Sequence, residues 1–157
     1  MPGVLSEGGL LPGPAIHLRR ARAPVNLRQG SLRKMKTELE VVIVDDEPPV
    51  VDILSNFVLI AAPNAHIHGF SDPLAARSYI LANRVDLLIT DHIMPKLDGI
   101  LLAEATPKHV RKVVVSGYVS KISGEELKDL NAVVIAKPAS MKVIAGIVSE
   151  EMGKVGI

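Results

Sequence analysis

The chain has 157 residues, with 18 Lys and Arg against 17 Asp and Glu and neither Cys nor Trp. That length suffices to bury the core of one ordinary domain, and the lack of cysteine excludes a disulfide scaffold, a thiolate metal site and a cysteine nucleophile. Hydrophobic residues make up 48% and aromatics only 3%, so a core must be built from Val, Ile, Leu and Ala; the longest apolar run, Phe57 to Ala62, falls far short of the ~18 residues of a membrane-spanning helix.

The net charge of +1 conceals a division. Residues 1–36 hold seven basic side chains and one acid, a balance of +6, whereas 37–157 hold 11 basic and 16 acidic side chains, a balance of −5. The first 36 residues carry Pro at 2, 12, 14 and 24 and Gly at 3, 8, 9, 13 and 30, show no helical or strand period, and read as a disordered basic leader. Its charges follow the apolar patch at Leu10–Leu11, the wrong order for a secretory signal. The Arg-rich, nearly acid-free segment leaves an organelle-targeting peptide open, although Ser richness and a clear amphipathic face are missing, and a basic arm for nucleic acid stands beside it, a weak signal without interleaved aromatics. The bland reading is an unstructured extension translated from an upstream start, since Met35 begins a domain-like stretch.

From Glu38 onward, short apolar runs alternate with helical patterns. Val41–Val44 predicts a strand buried on both faces of a parallel sheet. Pro48 and Pro49 suit a first helical turn, and Val50, Val51, Ile53, Leu54, Phe57 and Val58 follow at helical spacing. A weaker strand runs near Ala65–Phe70. Ser71 or Asp72 caps the next helix, with Leu74, Ala75, Tyr79 and Ile80 on one face. The third strand spans 86–90 and ends at Asp91; a short helix follows over roughly 100–106. Val113–Val115 forms the fourth strand, ending at Ser116–Gly117, and a short helix opens at Ser123 or Gly124. Ala132–Ala136 is the fifth strand, ending at Lys137–Pro138, and Ser140 caps a last helix bearing Val143, Ile144, Ile147, Val148 and Met152. Five strands alternating with five helices predict a doubly wound α/β sheet.

The residues at the strand ends carry the chemistry. Asp45 and Asp46 follow the first strand, Asp91 the third, Ser116 the fourth and Lys137 the fifth, and in an open parallel sheet ligands bind beyond these carboxyl ends. Singly, each is ordinary turn or cap chemistry, and Asp98–Gly99 is read as a turn; jointly they make a constellation. Two carboxylates about 4 Å apart repel by roughly 4 kcal/mol at an effective dielectric near 20. A hard divalent cation relieves that repulsion, and Mg²⁺, which retains waters, fits a small set of protein ligands. A carboxylate beside Mg²⁺ and a lysine is equipped for phosphoryl transfer. Ser116 is placed to bond a phosphoryl oxygen, and Gly117 leaves room for the group.

Val41-Val42-Ile43-Val44-Asp45-Asp46-Glu47-Pro48, Asp91-His92-Ile93-Met94-Pro95-Lys96-Leu97-Asp98-Gly99, Val115-Ser116-Gly117-Tyr118 and Ala136-Lys137-Pro138 together resemble the signature blocks of the response-regulator receiver domain, over about residues 38–153. The resemblance implies a flavodoxin-like, CheY-like sheet of order 2-1-3-4-5 with helices on both faces. It also implies a cytoplasmic two-component switch rather than an enzyme. Asp91 would accept a phosphoryl group from a histidine kinase or phosphotransfer protein; Asp45, Asp46, Asp91 and the main-chain carbonyl of Ile93 would hold Mg²⁺. Lys137 would pair with phosphoryl oxygens, Ser116 would swing in to bond them, and Lys137–Pro138 is expected to be cis, as in the family. Neither membrane association nor direct nucleic-acid contact is expected, and with the receiver pattern filling residues 37–157 a stand-alone receiver is expected.

Departures from the family pattern are specific. Its switch aromatic falls on Val134, and an aromatic frequent two residues after the lysine is replaced by Ala139. The stretch from Asp91 to Ser116 is about three residues short, which trims the third helix. Ile93 and Tyr118, flanking the phosphoryl position, are poorly suited to placing a hydrolytic water, so slow self-dephosphorylation is expected. Two other readings stand beside the switch. One is a receiver-like interaction module that acts without phosphorylation. The other is a haloacid-dehalogenase-type phosphatase, which would require an Asp-x-Asp nucleophile motif on the first strand. His92, His66 and His68 lack metal-site spacing.

Overall fold

A computed structural model describes residues 38–155; the predicted leader, 1–36, lies outside the described residues. The elements are β1 (Glu40–Val44), α1 (Pro48–Ala61), β2 (His66–Phe70), α2 (Pro73–Ala82), β3 (Leu87–Asp91), α3 (Gly99–Ala105), β4 (Arg111–Ser116), α4 (Gly124–Lys128), β5 (Ala132–Ala136) and α5 (Met141–Lys154), with one 3₁₀ turn at Val119–Lys121. The five strands form one sheet of order β2-β1-β3-β4-β5, parallel throughout, as expected. Among the described residues no helix is long and apolar enough to cross a membrane.

The all-apolar runs are explained by burial on two faces. Val41 and Ile43 join Leu87, Ile89, Val113 and Val115 in a core under Leu54 and Val58 of α1 and Ile144, Ile147 and Val148 of α5. Val42, Val44 and Leu88 point the other way, into a second core with Ala76 and Ile80 of α2 and Leu102 of α3. Each buried Leu or Ile side chain contributes about 1.5–3 kcal/mol, and these aliphatics do the work for which the chain has almost no aromatics. The helices start as the capping residues direct: Asp72 accepts from the Leu74 N–H, Asp98 from the N–H groups of Ile100 and Leu101, and Ser140 from the Val143 N–H. α1 instead begins with Pro48 and Pro49 and has no side-chain cap.

Some details differ from the sequence expectation. Ile53, Leu74 and Val143, assigned by spacing to buried faces, are exposed, and Ala75 is exposed as well. Spacing marks a stripe of positions, but only its centre is covered when a helix packs on one sheet face. β4 begins at Arg111, two residues earlier than predicted, and carries the fully buried Lys112. Its ammonium donates to the carbonyls of Pro107 and Leu130, both at 2.8 Å. Glu151 is also buried, between Arg111 at 3.1 Å and Lys154 at 2.8 Å. α3 has only 7 residues, in keeping with the shortened stretch after Asp91.

Candidate functional site

Parallel register brings the strand ends together. Val44 is level with Thr90, Asp91 with Val115, and Ser116 with Ala136, so the residues just beyond β1, β3, β4 and β5 meet at one edge. The strand order reverses between β1 and β3, the switch point of such a sheet. Asp45, Asp46 and Asp91 offer carboxylate oxygens that all lie within 4.8 Å of one another.

Their surroundings differ. Asp45 and Asp91 are buried, whereas Asp46 is exposed. Asp45 accepts from the Glu47 N–H at 2.9 Å. Burial raises its pKa, the Glu47 N–H pulls the other way, and the charge of Asp91 pushes up again, leaving the group at about 6. A carboxylate strained in this way is relieved by a cation, and an all-oxygen donor set of three carboxylates suits a hard one.

Asp91 is held from two sides. Its Oδ1 lies 2.7 Å from Lys137 Nζ and accepts from the His92 N–H at 2.9 Å. Burial disfavours the Lys137 ammonium, but the hydrogen bond and charge of Asp91, followed by Asp45 and Glu47, outweigh it and raise the Lys137 pKa above the usual lysine value. The Lys137–Pro138 peptide is cis, and the Lys137 N–H donates to the Ser116 carbonyl at 3.0 Å, tying the end of β5 to the end of β4.

Ser116 is fully buried. Its Oγ accepts from the Tyr118 N–H at 2.8 Å and lies 2.8 Å from His92 Nδ1. The next residue leaves open space, since a Cβ at Gly117 would meet nothing within 4 Å. Ile93 and Tyr118 stand exposed at the rim, 59% and 55% accessible, and Val134 is half-buried in β5.

Two partners were not evident from the sequence. Gly99 does more than turn the chain. Its N–H donates to the His92 carbonyl at 2.7 Å, and a Cβ there would collide with the Asp91 carbonyl oxygen and lie 3.1 Å from the His92 Cα. His92, whose only mark in the sequence was its lack of metal-site spacing, touches the buried Ser116 hydroxyl. The signal available for Gly99 was its place after a helix-capping Asp; a His beside a strand-end Asp carried none.

The family model described as "Response regulator receiver domain" matches residues 41–149. Among curated proteins, the chain is 42% identical over 65 residues to the cyclic di-GMP phosphodiesterase response regulator RpfG of Xanthomonas campestris, covering 41% of this chain and 17% of that protein. It is 29% identical over 100 residues to a protein-glutamate methylesterase/protein-glutamine glutaminase of Bdellovibrio bacteriovorus, covering 62% and 28%. The chain thus matches well under a third of the length of either relative. Among solved structures, the response regulatory domain of mrkE from Klebsiella pneumoniae superposes with a TM-score of 0.64 at 27% identity, covering 74% of this chain and 98% of that one. A CheY-like receiver domain protein of Methanospirillum hungatei has the same fold, with a TM-score of 0.61 at 19% identity over 74% and 95% of the two chains.

Proposed function

The chain belongs to the response-regulator receiver family of two-component signalling, and from that membership we propose that it is a phosphoacceptor switch in which Asp91 takes a phosphoryl group from a phosphohistidine donor. The donor is a histidine kinase or a histidine phosphotransfer protein, and the phosphorylated form binds a protein target differently from the free form. The reading rests above all on one observation: a buried carboxylate, Asp91, lies 2.7 Å from the Lys137 ammonium within the three-carboxylate cluster.

Asp45, Asp46 and Asp91, with the main-chain carbonyl of Ile93, would hold Mg²⁺, whose charge offsets that of the phosphoryl oxygens when bound. The chain's own groups do the rest. The Asp91 carboxylate attacks phosphorus as the phosphorus–nitrogen bond of the donor breaks, and the imidazole leaves. Lys137 pairs with a phosphoryl oxygen, Ser116 donates a hydrogen bond to another, and the open space at Gly117 admits the group. Ile93 offers no polar group, and neither it nor the exposed Tyr118 readily places a hydrolytic water, which supports a long-lived acyl phosphate; Ile93→Asn is expected to speed its decay, and an unchanged rate counts against that point.

Incubation with acetyl phosphate and Mg²⁺, followed by tyrosine fluorescence, tests the switch. A Mg²⁺-dependent change that disappears in Asp91→Asn supports it. No change, or one that persists in Asp91→Asn, favours an interaction module that works without phosphorylation.

A further inference from the structure

We propose that His92 is a positioning residue for Ser116, holding its hydroxyl in a resting position until a phosphoryl group on Asp91 competes it away. The proposal rests on the phosphoacceptor reading above and assigns to this site a part that the strand-end constellation did not contain.

Among the described residues, the hydrogen-bond partners of the Ser116 Oγ are the Tyr118 N–H at 2.8 Å and His92 Nδ1 at 2.8 Å; Asp91 is not one of them. The Tyr118 N–H can only donate, so it takes up one lone pair of Oγ whatever the state of the site. With the His92 ring proton on Nε2, Nδ1 accepts the Ser116 O–H, the hydroxyl's single donor, and that donor must be withdrawn from His92 when Ser116 bonds a phosphoryl oxygen. Ser116 is fully buried, so no bulk water stands ready to fill the place of His92, and a buried hydroxyl deprived of a partner is costly.

The imidazole is presented from a backbone that cannot drift. The His92 N–H donates to the Val115 carbonyl at 3.1 Å and to Asp91 Oδ1 at 2.9 Å, and the His92 carbonyl accepts from the Gly99 N–H at 2.7 Å. Gly99 can approach so closely because it has no Cβ to strike the Asp91 carbonyl. His92 is thus pinned by the acceptor's own strand, by β4 and by the start of α3, and its ring reaches the switch hydroxyl from that fixed base. With Val134 at the position of the family's switch aromatic, the polar contact between His92 and Ser116 sets the resting state of the hydroxyl.

The test is a titration with beryllofluoride and Mg²⁺, read by the fluorescence of Tyr118, in the wild-type chain, His92→Ala, His92→Asn, Ser116→Ala and the His92→Ala/Ser116→Ala double variant. His92→Ala is expected to bind beryllofluoride about 3- to 10-fold more tightly, the range of one net hydrogen bond. His92→Asn, whose amide can occupy the place of Nδ1, is expected to return toward wild-type affinity. In the Ser116→Ala background His92→Ala is expected to have no effect, an outcome that a merely structural role of the ring would not produce. Unchanged affinity in His92→Ala, or an equal gain with and without the Ser116 hydroxyl, overturns the proposal. The ¹⁵Nδ1 resonance of His92 in the wild-type protein supplies a reading that needs no variant: it is expected to move when beryllofluoride binds, and a resonance that stays in place also overturns the proposal. If the wild-type chain takes up no beryllofluoride, the phosphoacceptor reading itself fails; uptake without a His92 effect fails only the present inference.

Discussion

Lys137 Nζ lies 2.7 Å from Asp91 Oδ1, a bond between the ends of β5 and β3 made across the intervening end of β4. The lysine side chain is nearly half exposed, so solvent weakens the pair and its stability contribution is small; the effect is felt in the charge of the site. Lys137→Met is expected to strengthen Mg²⁺ binding several-fold, because a competing cation is removed, and to slow phosphoryl uptake at least as much. Calorimetry with Mg²⁺ and the rate of labelling by acetyl phosphate measure the two effects, and parallel changes in both would contradict the assigned role.

The Asp45 carboxyl, raised from 3.8 to about 6, binds its proton more tightly in the fold than in the unfolded chain. Stability from this group is therefore full below pH 3.8 and is lost as pH rises through about 6, so the metal-free protein bears the whole cost at neutral pH. Asp45→Asn keeps an oxygen for the Glu47 N–H and is expected to be about 1–3 kcal/mol more stable than wild type at pH 7.5 without metal, and to lose the stabilisation that Mg²⁺ gives the wild type. Thermal melts with Mg²⁺ and with chelator, at pH 5 and pH 7.5, decide the matter.

Gly99 and Gly117 are both site glycines with opposite surroundings. A Cβ at Gly99 strikes the Asp91 carbonyl, whereas one at Gly117 meets nothing within 4 Å. Gly99→Ala is expected to cost roughly 2 kcal/mol or more, since backbone must move, and to impair the acceptor. Gly117→Ala is expected to stay within about 0.5 kcal/mol while hindering phosphoryl uptake. Urea denaturation of the two variants provides the comparison.

Lys112 is pushed down from 10.5 to about 8, by burial first and by the charge of Lys108 second. Between pH 8 and 10.5 the unfolded chain binds the proton that the fold releases, so stability from this group rises with pH across that window and is lowest below about 8. Relative to Lys112→Met, the wild type is expected to gain about 1–3 kcal/mol from pH 7.5 to pH 10. Equal slopes for the two proteins would contradict the burial of a charged ammonium.

How much could be read in advance follows from where each signal lives. Val41–Val44 and the polar residues that end it are legible because a strand buried on both faces must be apolar, and the first polar side chain marks where it leaves the sheet. Asp91, Ser116 and Lys137 are legible for the same reason, and parallel topology brings them together. Lys112 was missed because lysine is seldom fully buried without a partner, and its partners are main-chain carbonyls, at Pro107 and Leu130. The contact between His92 and Ser116 was missed because it depends on the lateral register of β3 and β4, in which Asp91 is level with Val115. Residue spacing along the chain does not encode that offset. The exposed Ile53 and Val143 mark the limit of helical periodicity, which cannot say how wide a stripe the sheet will cover.

The central claim is that Asp91 carries the phosphoryl group. Its most direct measurement is to label the chain with a phosphohistidine donor and Mg²⁺, reduce the product with borohydride, which converts an aspartyl phosphate to homoserine, and locate that residue by peptide mass spectrometry. Homoserine at position 91, abolished by omitting Mg²⁺, is the predicted result. Homoserine at another carboxylate, or no label under conditions in which a known receiver is labelled, would contradict it.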